Sequence, residues 1–134
     1  MTEVPLQVVA AAIVQERRVL LVSKHAAPDV FYLPGGKPEP GEEAAATLAR
    51  ELAEELGVAL VESTPLGIVN DEAALERRPM EMAVHLAVVD GQPEPRAEIA
   101  ALVWASADHA RRATVAPALR NHVLPQLAAR SLID

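Results

Sequence analysis

Three glutamates, Glu51, Glu54 and Glu55, stand at offsets of three and four residues, which on a helix puts them on one face. Like charges at those spacings repel by roughly 0.2–0.5 kcal/mol per pair. Something positive must offset this. Arg50 lies four residues before Glu54 and can neutralise one carboxylate. A hard divalent cation would neutralise the others, and an all-oxygen donor set favours Mg²⁺ or Mn²⁺ over zinc. Taken alone, a Glu-Glu pair on a helix is more often a solvated face than a ligand set, so the elements around it carry weight.

The segment from Glu43 to Leu56 reads as a helix. Ala44, Leu48, Leu52 and Leu56 recur every four residues and form a buried stripe beside the glutamates, acids are expected in the first turn, and Gly57 stops the helix. The carboxylates would then sit at the edge of a core, partly sheltered. Before the helix, Pro34 to Glu42 is rich in Gly and Pro and must be loop. Pro40-Gly41 suits the centre of a type II turn.

Val8 to Gln15 and Arg18 to Ser23 are aliphatic runs around Glu16-Arg17, a hairpin pattern. Phe31-Tyr32-Leu33 is a short apolar segment. Val58 to Val61, Leu66 to Val69, Met82 to Val89 and Ile99 to Ala105 read as strands, with Asp90-Gly91 as a turn. Pro117 to Ala129 has helical spacing, and Pro125 should kink or split that helix. This mixture indicates an α/β or α+β domain, with residues 1–134 expected to form one unit.

The composition narrows the partners. A net charge of −7 argues against holding a nucleic-acid backbone, which needs a basic surface. It does not exclude a small anionic substrate, because a bound cation inverts the local sign. With no Cys, the chain has no disulfide, thiolate metal site or Cys nucleophile. His25, His85, His109 and His122 show no paired ligand spacing and read as structural or surface residues. No apolar run approaches the ~18 residues that span a bilayer. The start, Met1-Thr2-Glu3, is not a basic leader, so no membrane association is expected and the expected compartment is the cytoplasm.

The spacing across the loop and helix is specific. It runs Gly36, five residues, Glu42, seven residues, then Arg50-Glu51-Leu52-Ala53-Glu54-Glu55-Leu56-Gly57-Val58. Seven fixed residue types at fixed offsets should arise by chance at roughly one in a million for a chain of this size. The pattern matches the Nudix box, and the flanks Leu33-Pro34-Gly35-Gly36-Lys37 and Glu39-Pro40-Gly41-Glu42 resemble the usual approach to it. So do Asp90-Gly91-Gln92-Pro93-Glu94-Pro95 leading to Glu98 and Trp104, and the tail through Leu127.

The resemblance implies an α/β/α sandwich with a mixed sheet, and hydrolysis of a nucleoside diphosphate linked to another moiety by metal-assisted attack of water on phosphorus. It implies Glu51, Glu54 and Glu55 as metal ligands with the Gly35 carbonyl, Arg50 as the residue orienting a carboxylate, and Glu42 as structural. Gly36 and Gly41 would shape the loop. Glu54 or Glu98 would accept the proton. Lys37 is expected to meet a phosphate, and Phe31 or Tyr32 to line a base pocket, while Trp104 reads as core. From Ala59 to Arg78 there is no Tyr, and Pro65 falls too early for the ADP-ribose marker. The substrate expected is therefore a nucleoside triphosphate, oxidised forms included, cleaved to monophosphate and pyrophosphate. ADP-ribose or another nucleotide sugar is the alternative, and a non-catalytic nucleotide-binding domain is a third. Homodimers are common among such proteins.

Overall fold

The computed structural model describes residues 4–111 and 114–134. The Met1-Thr2-Glu3 start used in reading the leader lies outside them. The aliphatic hairpin forms as β1 (Leu6–Gln15) and β2 (Arg18–Lys24), joined by Glu16 and Arg17 at φ 49° and 62°. Two consecutive positive φ values give the tight turn whose twist matches its strands. β3 (Ala27–Tyr32) and the two-residue β4 (Gly35–Gly36) follow, then α1 (Ala44–Leu56).

Beyond the helix, the two short strand patterns merge into one strand, β5 (Ala59–Glu72), bent by irregular register at Leu60/Glu62 and Pro65/Gly67. Bulges of this kind interrupt the alternation and explain why the sequence showed two fragments. β6 (Pro79–Asp90) and β7 (Ile99–Ala105) complete a seven-stranded sheet of order β3-β2-β1-β6-β5, with β4 beside β1 and β7 beside β2. β1 and β6 run parallel while the other pairs are antiparallel, so the sheet is mixed.

Both faces of the central strands are covered. On β1, Ala10 and Ala12 belong to one apolar cluster, and Val9, Ala11 and Ile13 to the other. On β2, Val19 and Leu21 alternate with Leu20 and Val22 in the same way. Such strands read as continuous apolar runs because neither face meets water. One cluster packs Leu48, Leu52 and Leu56 of α1 against the sheet. The other packs the C-terminal segment through Leu119, Val123, Leu124 and Leu127. The result is an α/β/α sandwich.

The C-terminal helical pattern is indeed divided. A π-helical turn, Leu119–Val123, gives way at Pro125 to a short α2 (Leu124–Ala129). Proline cannot donate the backbone bond that a continuous α-helix requires there. Trp104 on β7 is half-buried against the α1-side cluster. Among the described residues, no helix is long and apolar enough to cross a membrane.

Candidate active site

The loop before α1 is fixed by few atoms. The Glu42 N–H donates to the Glu39 carbonyl at 2.9 Å and Gly41 takes φ 77°, which closes the turn at Pro40-Gly41. The helix begins one residue later than its periodicity suggests. Glu43 is the N-cap residue at φ −77° and ψ 159°, and no acid lies within the first turn. The end is as expected, with Gly57 at φ 67° donating its N–H to Ala53.

Arg50 pairs differently from the expectation. Its guanidinium reaches both carboxylate oxygens of Glu42 (3.0 and 2.8 Å) and Glu51 (2.7 Å), rather than Glu54. Long helical side chains lean toward the N-terminus of their helix, and there the loop presents Glu42. Glu42 also accepts from the Thr47 hydroxyl at 2.8 Å and the Glu39 N–H at 3.0 Å. Hydrogen bonds from Arg50 above all, then from Glu39 and Thr47, hold its carboxyl down at about 2. Hydrogen bonds to Glu42 and then Glu51 hold the Arg50 guanidinium still more firmly protonated.

Glu55 stands in the opposite condition. It is 2% exposed, and its carboxylate accepts a single described bond, from the Gly35 N–H at 3.1 Å. Burial pushes its carboxyl up to about 8, with Glu51 and Glu98 adding to the shift and Gly35 and Lys24 opposing it. Glu51 is half-buried and Glu54 exposed, so the three box glutamates grade from core to solvent. Among the described residues, no three acidic or histidine side chains converge closely enough to form a ready-made metal site. Glu51 is turned to Arg50, and Glu55 to the backbone.

Two glycines let the loop approach β1 and the helix. A Cβ on Gly36 would overlap the Glu51 carboxylate, and one on Gly35, at φ 149°, would overlap the Val9 carbonyl. Only glycine fits at position 35, where the clash is with backbone, while a side chain at 36 would displace the Glu51 carboxylate. Above them, Glu98 follows Ala97 at φ 52°, a conformation that costs a non-glycine residue roughly 1–2 kcal/mol. The Glu98 carbonyl accepts from the His25 N–H at 2.9 Å, which pins this bend against the end of β2.

These elements border one cleft of about 370 Å³. Gly35, Gly36, Lys37, Glu51 and Glu98 line it, whereas Glu54 and Glu55 do not. Apolar side chains line it too, Met80, Met82, Ala116, Ala118 and Leu119 among them. The bonds from Phe31 N–H to the Thr114 carbonyl (2.8 Å) and from Ala116 N–H to the Phe31 carbonyl (2.9 Å) hold the 114–116 segment beside β3. Tyr32, not Phe31, faces this cleft, because successive side chains on β3 point to opposite sides. Lys24 and the loop from Glu72 to Glu76 also line it. The sequence carried no offset rule for them: Lys24 merely ends an apolar strand, and the loop arrives only because β5 and β6 pair over their whole lengths.

The histidines stay outside the cleft. His122 Nε2 lies 3.3 Å from Asp71, His109 Nδ1 accepts from the Ser106 N–H, and burial lowers the pKa of His85.

The family model of the NUDIX domain matches residues 5–127, and this chain belongs to that family. It is a Nudix hydrolase, an enzyme whose substrates are small-molecule nucleoside diphosphate derivatives. A Mycobacterium tuberculosis protein named "Putative 8-oxo-dGTP diphosphatase 2" is 35% identical over 119 residues, covering 87% of this chain and 84% of that protein. The crystal structure of the MutT protein from Methanosarcina mazei superimposes with a TM-score of 0.79 at 25% identity, over 97% of this chain and 98% of that one. The MutT NUDIX hydrolase of Burkholderia pseudomallei gives a TM-score of 0.71 at 30% identity, with 97% and 99% covered.

Proposed function

We propose that this enzyme hydrolyses a nucleoside triphosphate, oxidised purine forms foremost, to the monophosphate and pyrophosphate, and that it requires Mg²⁺ or Mn²⁺. The observation that carries this reading is the mixed lining of the cleft. Its carboxylates and lysines suit a metal-bound polyphosphate and its apolar residues suit a base. The M. tuberculosis relative, named for 8-oxo-dGTP, supports the substrate class.

The donor set fits a hard divalent cation. Glu55 is buried with one described hydrogen bond, and its ionised form at neutral pH needs a positive charge beside it. Glu51, Glu54 and Glu55, with the Gly35 carbonyl, would hold the ion. Once bound, the ion would acidify water and offset charge on the phosphate oxygens. Arg50 fixes Glu51 from the helix side while anchored to Glu42. Lys37, at the cleft wall, draws in the polyphosphate. Glu98 accepts the proton of the attacking water, because it borders the cleft and Glu54 does not. Met80, Met82 and Leu119 exclude water from the base.

The test is a nucleotide panel with protein and Mg²⁺, read for pyrophosphate, phosphate and nucleoside monophosphate. Pyrophosphate and monophosphate in equal amounts are expected, with turnover abolished by EDTA and restored by added Mg²⁺. Undiminished turnover after exhaustive chelation would overturn the metal-dependent reading. Cleavage of ADP-ribose in preference to every triphosphate would overturn the substrate.

A further inference from the structure

The cleft contains a polar group that the reading above leaves idle. Tyr32 closes β3 opposite Val22 of β2, and its ring lines the cleft. Its hydroxyl is shielded from solvent and has no hydrogen-bond partner among the described residues. A buried hydroxyl without a partner is unfavourable, and native structures leave few of them. Where the residue that carries such a group lines a cleft, a ligand seated there can become its partner.

The setting of the hydroxyl restricts that ligand. Burial first, then the carboxylates of Glu55, Glu76 and Glu98, hold the phenol proton well beyond its ordinary range. The group is thus a neutral O–H donor. Lys24 Nζ sits over the ring face, 5.9 Å from the centroid. The phosphates are assigned to the cation that Glu51, Glu54 and Glu55 would hold, which leaves the sugar or base for this hydroxyl. The apolar lining of Met80, Met82 and Leu119 belongs to the same cleft and suits the uncharged part of a nucleotide.

We propose that Tyr32 is a specificity-determining residue whose hydroxyl donates a hydrogen bond to a neutral oxygen or nitrogen on the sugar or base of the substrate, not to its phosphates. The proposal rests on the reading of the cleft as the nucleotide site. Its discriminating power follows from the empty bond. A site built around a hydrogen bond rejects analogues lacking the matching atom far better than an apolar pocket rejects a missing methylene.

The experiment compares the wild type with Tyr32→Phe, which keeps the ring and removes the oxygen. Kinetics are measured on the best nucleotide of the panel, together with inhibition by inorganic tripolyphosphate, which has no sugar or base. The expected result is a KM raised on the order of tenfold with kcat changed less than about twofold. Inhibition by tripolyphosphate should stay the same, and the melting temperature should hold or rise, because a partnerless buried hydroxyl has gone. Equal weakening of nucleotide and tripolyphosphate would overturn the proposal by placing the hydroxyl on the phosphates. An unchanged KM, whatever the melting temperature, would overturn it too. A wild type that neither hydrolyses nor binds any nucleotide would remove the cleft reading and this inference together. An active wild type matched by Tyr32→Phe removes this inference alone.

Discussion

Glu42 and Glu55 sit at the two ends of one short motif, and their surroundings drive them apart. Glu42 collects four bonds from Arg50, Thr47 and Glu39, and stays ionised down to about pH 2. Glu55 is buried, takes one described backbone bond, and in the metal-free protein holds its proton up to about pH 8. The same residue type is thus a finished brace at one end and, in the proposed reading, an unfinished ligand at the other. A carboxylate already satisfied by the protein has little left to offer a cation. One that is buried and nearly bare gains most from it.

The strongest way to break this comparison is to neutralise the unfinished end. Glu55→Gln should lower kcat on the order of 10³, because metal charge stabilisation supplies several kcal/mol and each ~1.4 kcal/mol is tenfold in rate. Glu54→Gln should lose activity on a similar scale. The two variants should part in stability. In EDTA near pH 8, Glu55→Gln should melt higher than wild type, since it removes a buried charge, whereas the exposed Glu54 should matter little. Equal melting shifts in both would mean that burial of Glu55 carries no such strain.

The pH dependence sharpens the same point. Glu55 has its folded pKa raised, so between the ordinary carboxylate range and about pH 8 the folded protein binds more protons than the unfolded chain. Stability from this group is therefore full below about pH 4.5 and is lost as pH rises through about 8. Glu42 has the opposite sign: its contribution is present above about pH 4.5 and fades as pH falls toward 2. Melting curves of the metal-free protein should show an alkaline decline that Glu55→Gln removes and added Mg²⁺ suppresses. A decline identical in wild type and variant would assign it elsewhere.

Arg50→Lys tests the finished end. Lysine cannot make the paired bonds to Glu42 while also reaching Glu51. Activity should fall roughly 10- to 100-fold, as for residues that orient metal ligands, and the metal-free protein should melt lower. Wild-type kinetics in this variant would show that Glu51 needs no orienting. The smallest effect is expected from Glu43→Gln. This exposed residue makes no side-chain cap bond, and its loss should change kcat less than about twofold. A large loss there would mean that charge anywhere on the helix start serves the reaction.

The sequence by itself determined the box, because its logic is local. Turn geometry at Pro40-Gly41, the stripe of Leu48, Leu52 and Leu56, and the stop at Gly57 are each set by residues a few positions apart. The hairpin around Glu16-Arg17 and the break near Pro125 were legible for the same reason. What lay across the sheet was not. The partner of Arg50 depends on where the preceding loop returns, so helical spacing alone pointed to Glu54 and missed Glu42. Whether Phe31 or Tyr32 meets the cleft depends on strand facing, which a two-residue apolar run cannot fix and which pairing with β2 does. Lys24, the Glu72 to Glu76 loop and the apolar lining come from segments up to about a hundred residues apart. Their convergence follows from parallel pairing of β1 with β6 and from packing of the C-terminal segment, and those long-range contacts leave no periodic trace in the chain. Burial made the last distinction. Three glutamates that spacing treats alike were sorted by depth in the folded protein, and depth is a property of the packed layers rather than of any residue's neighbours in sequence.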